Sequence, residues 1–158
     1  MTEDTDPRYQ TIARIAQLTG QLIWLGNKRF AQLLTTYGLT SPQYYTLLSL
    51  SFQDRARSMH ALAQLSHQDA ATATGIVDRL EKLGFVCRER GQDDRRKVYV
   101  ALQEGGRQVV EEIRKATHRN WQRSFSALSQ GELDEILRML TAILQAWEAA
   151  LEPALGEE

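Results

Sequence analysis

Apolar residues between positions 8 and 36 recur mostly at intervals of three and four: Ile12, Ile15, Leu18, Leu22, Leu25, Leu33 and Leu34. That period predicts a long amphipathic helix. Ser58 stands where it can cap a short helix bearing Met59, Leu62 and Leu65, and His67-Gln68-Asp69 makes a polar turn after it. Another helix opens at Asp69 or Ala70, with the Asp69 carboxylate placed to accept the free N–H groups of its first turn. Ile76, Val77, Leu80 and Leu83 give it an apolar face, and Gly84 ends it where a left-handed cap residue is favoured.

Past Gly84 the period shortens to two. Phe85 and Val86 lead to Arg88 and Arg90, a polar turn covers Gly91 to Asp94, and Val98, Val100 and Leu102 alternate with Tyr99 and Ala101. The helical period then returns in Val109, Val110, Ile113, Ala116, Trp121, Phe125 and Leu128. Ser129 and Glu132 form a capping box for a last helix with Leu133, Ile136, Leu137, Leu140, Ile143, Leu144 and Trp147. Two helices joined by so short a turn match a helix-turn-helix, and the hairpin after them has the outline of a wing. The expected fold is therefore mainly α: a winged helix-turn-helix core with a two-stranded β wing, flanked by long N- and C-terminal helices.

In such a motif the second helix enters the major groove with its N-terminal residues toward the bases. Here those residues are Ala70, Ala71, Thr72, Ala73, Thr74 and Gly75, small and uncharged, so that backbone and DNA can approach closely. The wing carries Arg95, Arg96 and Lys97 in succession, suited to phosphates or a narrow minor groove. A net charge of −1 looks wrong for such a partner until its distribution is considered. Residues 1–7 and 152–158 each hold three acids and no Lys or Arg, leaving 19 basic and 14 acidic groups over 8–151. The stretch Arg79 to Lys97 has seven basic residues against four acidic ones.

The chain resembles the multiple-antibiotic-resistance regulator (MarR) family of dimeric winged-helix transcription factors. The resemblance is carried by Leu62-Ala63, Thr72-Ala-Thr74, Val77-Asp78-Arg79-Leu80-Glu81, Gly84-Phe85-Val86, the wing Asp93-Asp94-Arg95-Arg96, and Val98-Tyr-Val-Ala-Leu102. Gly38-Leu39-Thr40-Ser-Pro-Gln43 upstream, with Leu47 and Leu50, resembles the family's second helix (here 41–52), and Leu128-Ser129-Gln-Gly-Glu132-Leu133 downstream resembles the start of its last, so the likeness spans nearly the whole chain. Two departures stand out: Gly75 occupies a place where many members have a long polar or basic side chain, and Gln103 and Gly105 replace the usual Thr and Lys.

The resemblance implies a homodimeric regulator that binds double-stranded DNA at an imperfect palindrome and represses by occluding a promoter. Thr72 and Thr74 are the candidates for major-groove contact, with Gln68 and Arg79 in support; Arg88, Arg90, Arg95, Arg96 and Lys97 are candidates for the backbone and the wing. Asp94, two residues before Arg96, holds the wing's shape in the family. A small aromatic or phenolic effector is implied between the long helices and the winged core, with Trp24, Tyr44 and Tyr45 as walls and Lys28 or Arg29 as carboxylate partners. On this reading residues 1–158 form one domain, with 37–102 as the winged core and 8–36 and 103–151 as dimerisation helices.

Duller readings stand beside these. The long helices suit a monomeric bundle as well as a dimer, Arg88 and Arg90 suit a solvated strand edge, and the three tryptophans suit packing. No cofactor is expected: His60, His67, His118 and Cys87 show no metal spacing, and no nucleophile–base group or phosphate loop points to an enzyme. A winged helix used only for protein contacts, or a redox-responsive regulator acting through Cys87, are the competing classes. The single cysteine, the acidic N-terminus without signal-peptide features and the lack of a long apolar run lead to the expectation of a cytoplasmic protein with no membrane span.

Overall fold

A computed structural model of the chain describes residues 6–52, 56–65, 69–91 and 97–151. The elements run α1 (Pro7–Thr36), α2 (Ser41–Ser51), β1 (Arg57–Ser58), α3 (Met59–Leu65), α4 (Ala70–Lys82), β2 (Val86–Arg90), β3 (Val98–Leu102), α5 (Glu104–Ser124) and α6 (Gln130–Leu151). They divide into two compact units, Met1–Thr117 and His118–Glu158.

In the first unit the core is a cluster of aliphatic side chains drawn from α1 to α5 and from β2 and β3. Leu34 of α1, Leu47 and Leu50 of α2, Leu62 of α3, Val77 and Leu80 of α4, Val86 and Val100 of the sheet, and Ile113 of α5 are all fully buried. The apolar stripe expected over α4 thus turns inward together with Leu47 and Leu50 of α2, the helix the resemblance implied. Asp69 caps α4 as expected, its carboxylate accepting the Thr72 N–H at 2.8 Å. Ser58 does the same for α3, accepting from the Ala61 N–H at 3.2 Å.

The exit from α4 sets the geometry of the wing. Gly84 has φ +72°, the left-handed conformation that costs a residue with a Cβ. It lets the Gly84 N–H reach the Glu81 carbonyl at 2.9 Å and the Phe85 N–H reach the Leu80 carbonyl at 3.0 Å, the paired closure of a Schellman end. The chain leaves directly into β2.

β2 and β3 pair antiparallel in the register Val86↔Leu102, Arg88↔Val100, Arg90↔Val98. The sheet has three strands rather than the expected two, in the order β1-β3-β2, because Arg57 and Ser58 pair with Val100 and Tyr99. Two residues are too few to show an alternating pattern, so this strand was invisible to periodicity. Val100 and Leu102 are buried, whereas Val98 is exposed because it lies past the core, toward the hairpin tip.

The second unit holds the end of α5 and the whole of α6. Helix α5 stops at Ser124, short of the stripe that continues through Phe125 and Leu128, and Phe125 stacks on Trp121 with ring centroids 5.6 Å apart. The capping box of α6 is present: Glu132 accepts from the Ser129 N–H at 2.8 Å, and the Glu132 N–H donates to Ser129 Oγ at 3.4 Å. The Ser129 hydroxyl, donating at 2.7 Å, and then the Ser129 N–H hold the Glu132 carboxyl below the usual carboxylate range. Among the described residues no helix is long and apolar enough to cross a membrane.

Candidate nucleic-acid interface

Helix α4 divides cleanly into a face that holds it and a face that is free. Ala73, Val77 and Leu80 are buried, while Asp69, Ala70, Ala71, Thr72, Thr74, Gly75, Asp78 and Arg79 are exposed. Small side chains on the free face keep the helix backbone close to whatever lies against it. At Gly75 an added Cβ would meet nothing within 4 Å, so the glycine is not required by packing inside the chain. Both threonine hydroxyls bond locally: Thr72 Oγ1 donates to Asp69 Oδ2 at 2.7 Å, and Thr74 Oγ1 donates to the Ala70 carbonyl at 2.8 Å. The Asp69 carboxyl lies below its ordinary range, chiefly because it accepts the Thr72 N–H and then the Thr72 hydroxyl.

Arg88 ties this helix to the wing. Its guanidinium donates to Asp78 Oδ1 at 2.6 Å and to Glu81 Oε2, and its backbone N–H reaches Glu81 Oε1 at 3.2 Å. Asp78 and Glu81 are three residues apart, on one helical face, so a single planar fork spans both. Charged hydrogen bonds of this kind are the stronger ones, although partial exposure screens them. Sequence spacing gives no sign of this triad, because its members lie on opposite sides of the Gly84 turn.

The remaining candidates fall in two places. Arg79 projects from the last turn of α4, Arg90 ends β2, and Lys97 precedes β3; all three are exposed. The Gly91 N–H donates to the Lys97 carbonyl at 2.9 Å, closing the neck of the hairpin. Gln68, Asp94, Arg95 and Arg96 lie outside the described residues. Cys87 is half-buried in β2, opposite Ala101, with its thiol 3.8 Å from Glu89 Oε1. Thus α4, with Thr72, Thr74 and Arg79 exposed, is joined to the root of the wing, where Arg90 is exposed, through Arg88 and its two carboxylates.

The residues considered for an effector separate into two groups. Lys28 Nζ sits 5.1 Å from the Trp24 ring centroid, on the next turn of α1, and Trp24 is 61% exposed. Arg29 is also exposed. Tyr44 and Tyr45 instead meet Phe30: the Phe30–Tyr44 centroids are 5.2 Å apart and edge-on, and Tyr44–Tyr45 are 5.7 Å apart. Burial, and then the neighbouring Tyr45, raise the Tyr44 phenol, while Arg114 of α5 pulls it the other way. Phe30 and Arg114 were both missed by sequence reading. Phe30 belongs to the same helical run as Trp24, but the residue facing the tyrosines depends on how α1 and α2 pack.

A helix-turn-helix followed by a hairpin wing defines the winged-helix class of nucleic-acid-binding folds. The model of the SarA/Rot transcriptional regulators matches residues 28–113. Among relatives, the HTH-type transcriptional regulator YfiV of Bacillus subtilis is 30% identical over 112 residues, 71% of this chain and 69% of YfiV. MgrA of Staphylococcus aureus, also an HTH-type transcriptional regulator, is 28% identical over 116 residues, 73% of this chain and 77% of MgrA. A MarR family protein from Bacillus stearothermophilus superposes with a TM-score of 0.75 at 25% identity, covering 88% of this chain and 96% of that one. The same fold is seen in a mutant of S. aureus MepR bound to an oligodeoxyribonucleotide (TM-score 0.70, 21% identity, 84% and 97% covered). It is seen again in Rhodococcus jostii CouR bound to p-coumaroyl-CoA (TM-score 0.60, 22% identity, 82% and 90% covered). The chain belongs to the SarA/Rot transcriptional regulators, winged helix-turn-helix proteins of the MarR type.

Proposed function

We propose that the protein is a cytoplasmic homodimer that occupies an imperfect palindrome in a promoter, represses transcription there, and leaves when a small aromatic anion binds. The observation that carries the DNA contact is the free face of α4, exposed from Asp69 to Gly75 at every position except Ala73, beside a basic hairpin. The MepR mutant bound to an oligodeoxyribonucleotide supports the same use of the fold. Thr72 and Thr74 face the bases, Arg79, Arg90 and Lys97 face phosphates, and Arg95 and Arg96 reach the flanking groove. Gln68 supports the contact from the turn before α4, and Asp94 holds the wing. Arg88 acts through Asp78 and Glu81, fixing the angle between the recognition helix and the wing. Residues 37–102 are the reading part, and the helices over 8–36 and 103–151 hold two copies together.

Selection of bound fragments from genomic DNA, followed by titration at increasing salt, tests this reading. Several phosphate contacts per subunit make affinity fall steeply as counterions compete. A specific complex with one subunit per site, or affinity unchanged from low to physiological salt, would contradict it. Within this reading the double substitution Arg95→Ala/Arg96→Ala is expected to weaken specific binding by about 1.5 kcal/mol or more, the loss of charged hydrogen bonds. The circular dichroism spectrum and the dimer mass should not change. Wild-type affinity in the double mutant would remove the wing from the mechanism.

We infer that the effector binds beside these two groups, Trp24 with Lys28 and Arg29 and, apart from them, Tyr44 with Tyr45, which offer the aromatic surface and few cations such a ligand requires. CouR bound to p-coumaroyl-CoA is a precedent for a ligand of phenolic type on this fold. Release of DNA needs the ligand to prefer a spacing of the two reading heads that the duplex does not. Trp24 fluorescence should then report titration with phenolic carboxylates such as salicylate. Trp24→Ala should blunt ligand-driven release while leaving DNA affinity within a few-fold. Equal release from wild type, Trp24→Ala and Arg29→Ala would put the ligand elsewhere.

A further inference from the structure

The free face of α4 has an unusual polarity. A hydroxyl carries one proton and two lone pairs, and on this face both threonine protons are committed. The Thr72 hydroxyl lies 2.7 Å from an Asp69 carboxylate oxygen and the Thr74 hydroxyl 2.8 Å from the Ala70 carbonyl oxygen. A carboxylate and a carbonyl only accept, so in each pair the threonine is the donor. What the two hydroxyls turn outward is lone pairs. Around them lie the methyl groups of Ala70, Ala71, Thr72 and Thr74 and the bare backbone of Gly75, all exposed. From Asp69 to Gly75, no side chain offers an uncommitted hydrogen-bond donor.

Base pairs differ in how they meet such a surface. In the major groove both purines offer the N7 acceptor, but adenine has the N6 amine where guanine has the O6 acceptor, and thymine adds a C5 methyl beside its O4 acceptor. Each pair thus carries two acceptors and one amine donor, adenine N6 or cytosine N4, and differs in where the donor stands and in the thymine methyl. A threonine lone pair set against the purine 6-position accepts from adenine N6 but opposes guanine O6, and the methyls around it pack on the thymine methyl that a G·C pair lacks. We propose that α4 reads A·T pairs directly in the major groove, by thymine-methyl packing and by adenine N6 donating to Thr72 or Thr74, and that Asp69 sets this preference by holding the Thr72 proton. This rests on α4 entering the major groove, as proposed above.

Asp69 is thereby a positioning residue with a distinctive signature. Asparagine caps helices about as well as aspartate, so in Asp69→Asn the carbonyl oxygen still accepts the Thr72 N–H. Its amide, however, can donate to the Thr72 oxygen, which releases the hydroxyl proton toward the groove. A donor at that point suits guanine. The substitution should therefore change which base is preferred, not merely how tightly DNA is held.

The test selects duplexes from a random library with wild type and with Asp69→Asn. Fluorescence anisotropy is then measured on the wild-type consensus with single replacements in the α4 footprint: uracil for thymine, purine deoxyriboside for adenine, and G·C for A·T. Wild type should select A·T at the steps facing Thr72 and Thr74 and lose about tenfold on a G·C replacement there, the scale of one good base contact. Thr72→Val should lose the penalty for purine deoxyriboside at one step yet keep the penalty for uracil, and Asp69→Asn should tolerate guanine at that step. Selection of G·C at the facing steps, indifference to every analogue, or an unchanged preference in Asp69→Asn would overturn the inference while leaving specific DNA binding intact. Failure of the full-length protein to select any duplex would overturn both.

Discussion

Gly106→Ala is expected to destabilise the winged-helix unit by about 3 kcal/mol, the upper end of what overpacking a core usually costs. Gly106 is buried in the first turn of α5. A Cβ built there falls on the Phe85 carbonyl oxygen and comes within 2.7 Å of Leu102 Cδ1. Leu102 can change rotamer, but the carbonyl is fixed from both sides. It accepts the Gln103 N–H at 2.9 Å, and Phe85 follows the left-handed Gly84 that closes α4. Helix α5 would have to back away from the sheet, loosening Val109, Val110 and Ile113 in the core. The better helix propensity of alanine returns no more than about 1 kcal/mol. Gly105→Ala is the matched control, since its nearest neighbour is the Gly84 carbonyl oxygen at 3.4 Å. Urea denaturation followed by circular dichroism at one protein concentration should separate the two variants. A Gly106→Ala loss under about 1 kcal/mol would show that α5 and the sheet are not tightly seated.

That close approach illustrates what a sequence can and cannot show. Helical stripes, the Asp69 and Ser58 caps, the Ser129/Glu132 box and the Gly84 exit were legible because each is settled within a few residues of chain. β1 was not, because a two-residue strand exists only by virtue of its pairing with β3. Gly106 was passed over for the same reason: its role is written in the Phe85 carbonyl, twenty-one positions earlier by number and adjacent only in space.

The candidate interface divides along the same line. Thr72, Thr74 and Arg79 could be assigned to the free face of α4 from helical period alone, since Ala73, Val77 and Leu80 had to turn inward. Arg88 could be read only as a basic residue on a strand leading to a wing. Its pairing with Asp78 and Glu81 depends on the turn angle at Gly84, and no spacing rule expresses that. The hydroxyl directions of Thr72 and Thr74 likewise depend on where Asp69 and the Ala70 carbonyl come to rest. The resemblance groups Trp24 with Tyr44 and Tyr45 around an effector, and the packing of α1 on α2 adds Phe30 as the ring against the tyrosines.

Leu22→Glu and Leu140→Glu are each expected to convert the proposed homodimer into monomers at micromolar concentration. Ile12, Ile15, Leu18, Leu22 and Leu25 make an exposed stripe along α1, with Leu22 71% exposed. Leu137, Leu140, Ile143, Leu144 and Trp147 make another along α6, with Leu140 60% exposed. Isolated apolar side chains on a surface are ordinary, but contiguous stripes of this size mark an interface. Fully burying such a side chain is worth about 1.5–3 kcal/mol, so covering the exposed half of each contributes roughly 1 kcal/mol. A glutamate in the same place reverses the sign, because an unpaired carboxylate must be desolvated. A twofold axis places the substitution in the interface twice, so the dissociation constant should rise by more than about a hundredfold. Sedimentation of wild type should give twice the 18.0 kDa chain mass, and of either variant the single mass, with helical content retained. Specific DNA affinity should fall with the dimer, because one reading head cannot span two half-sites. Gln17→Glu adds the same charge to α1 away from the Ile12–Leu25 stripe, where Arg14 already bonds Gln17 at 2.8 Å, and should stay dimeric. Dimeric Leu22→Glu and Leu140→Glu proteins would place the subunit contact on other surfaces, and a monomeric wild type that still binds a palindrome would dispense with it.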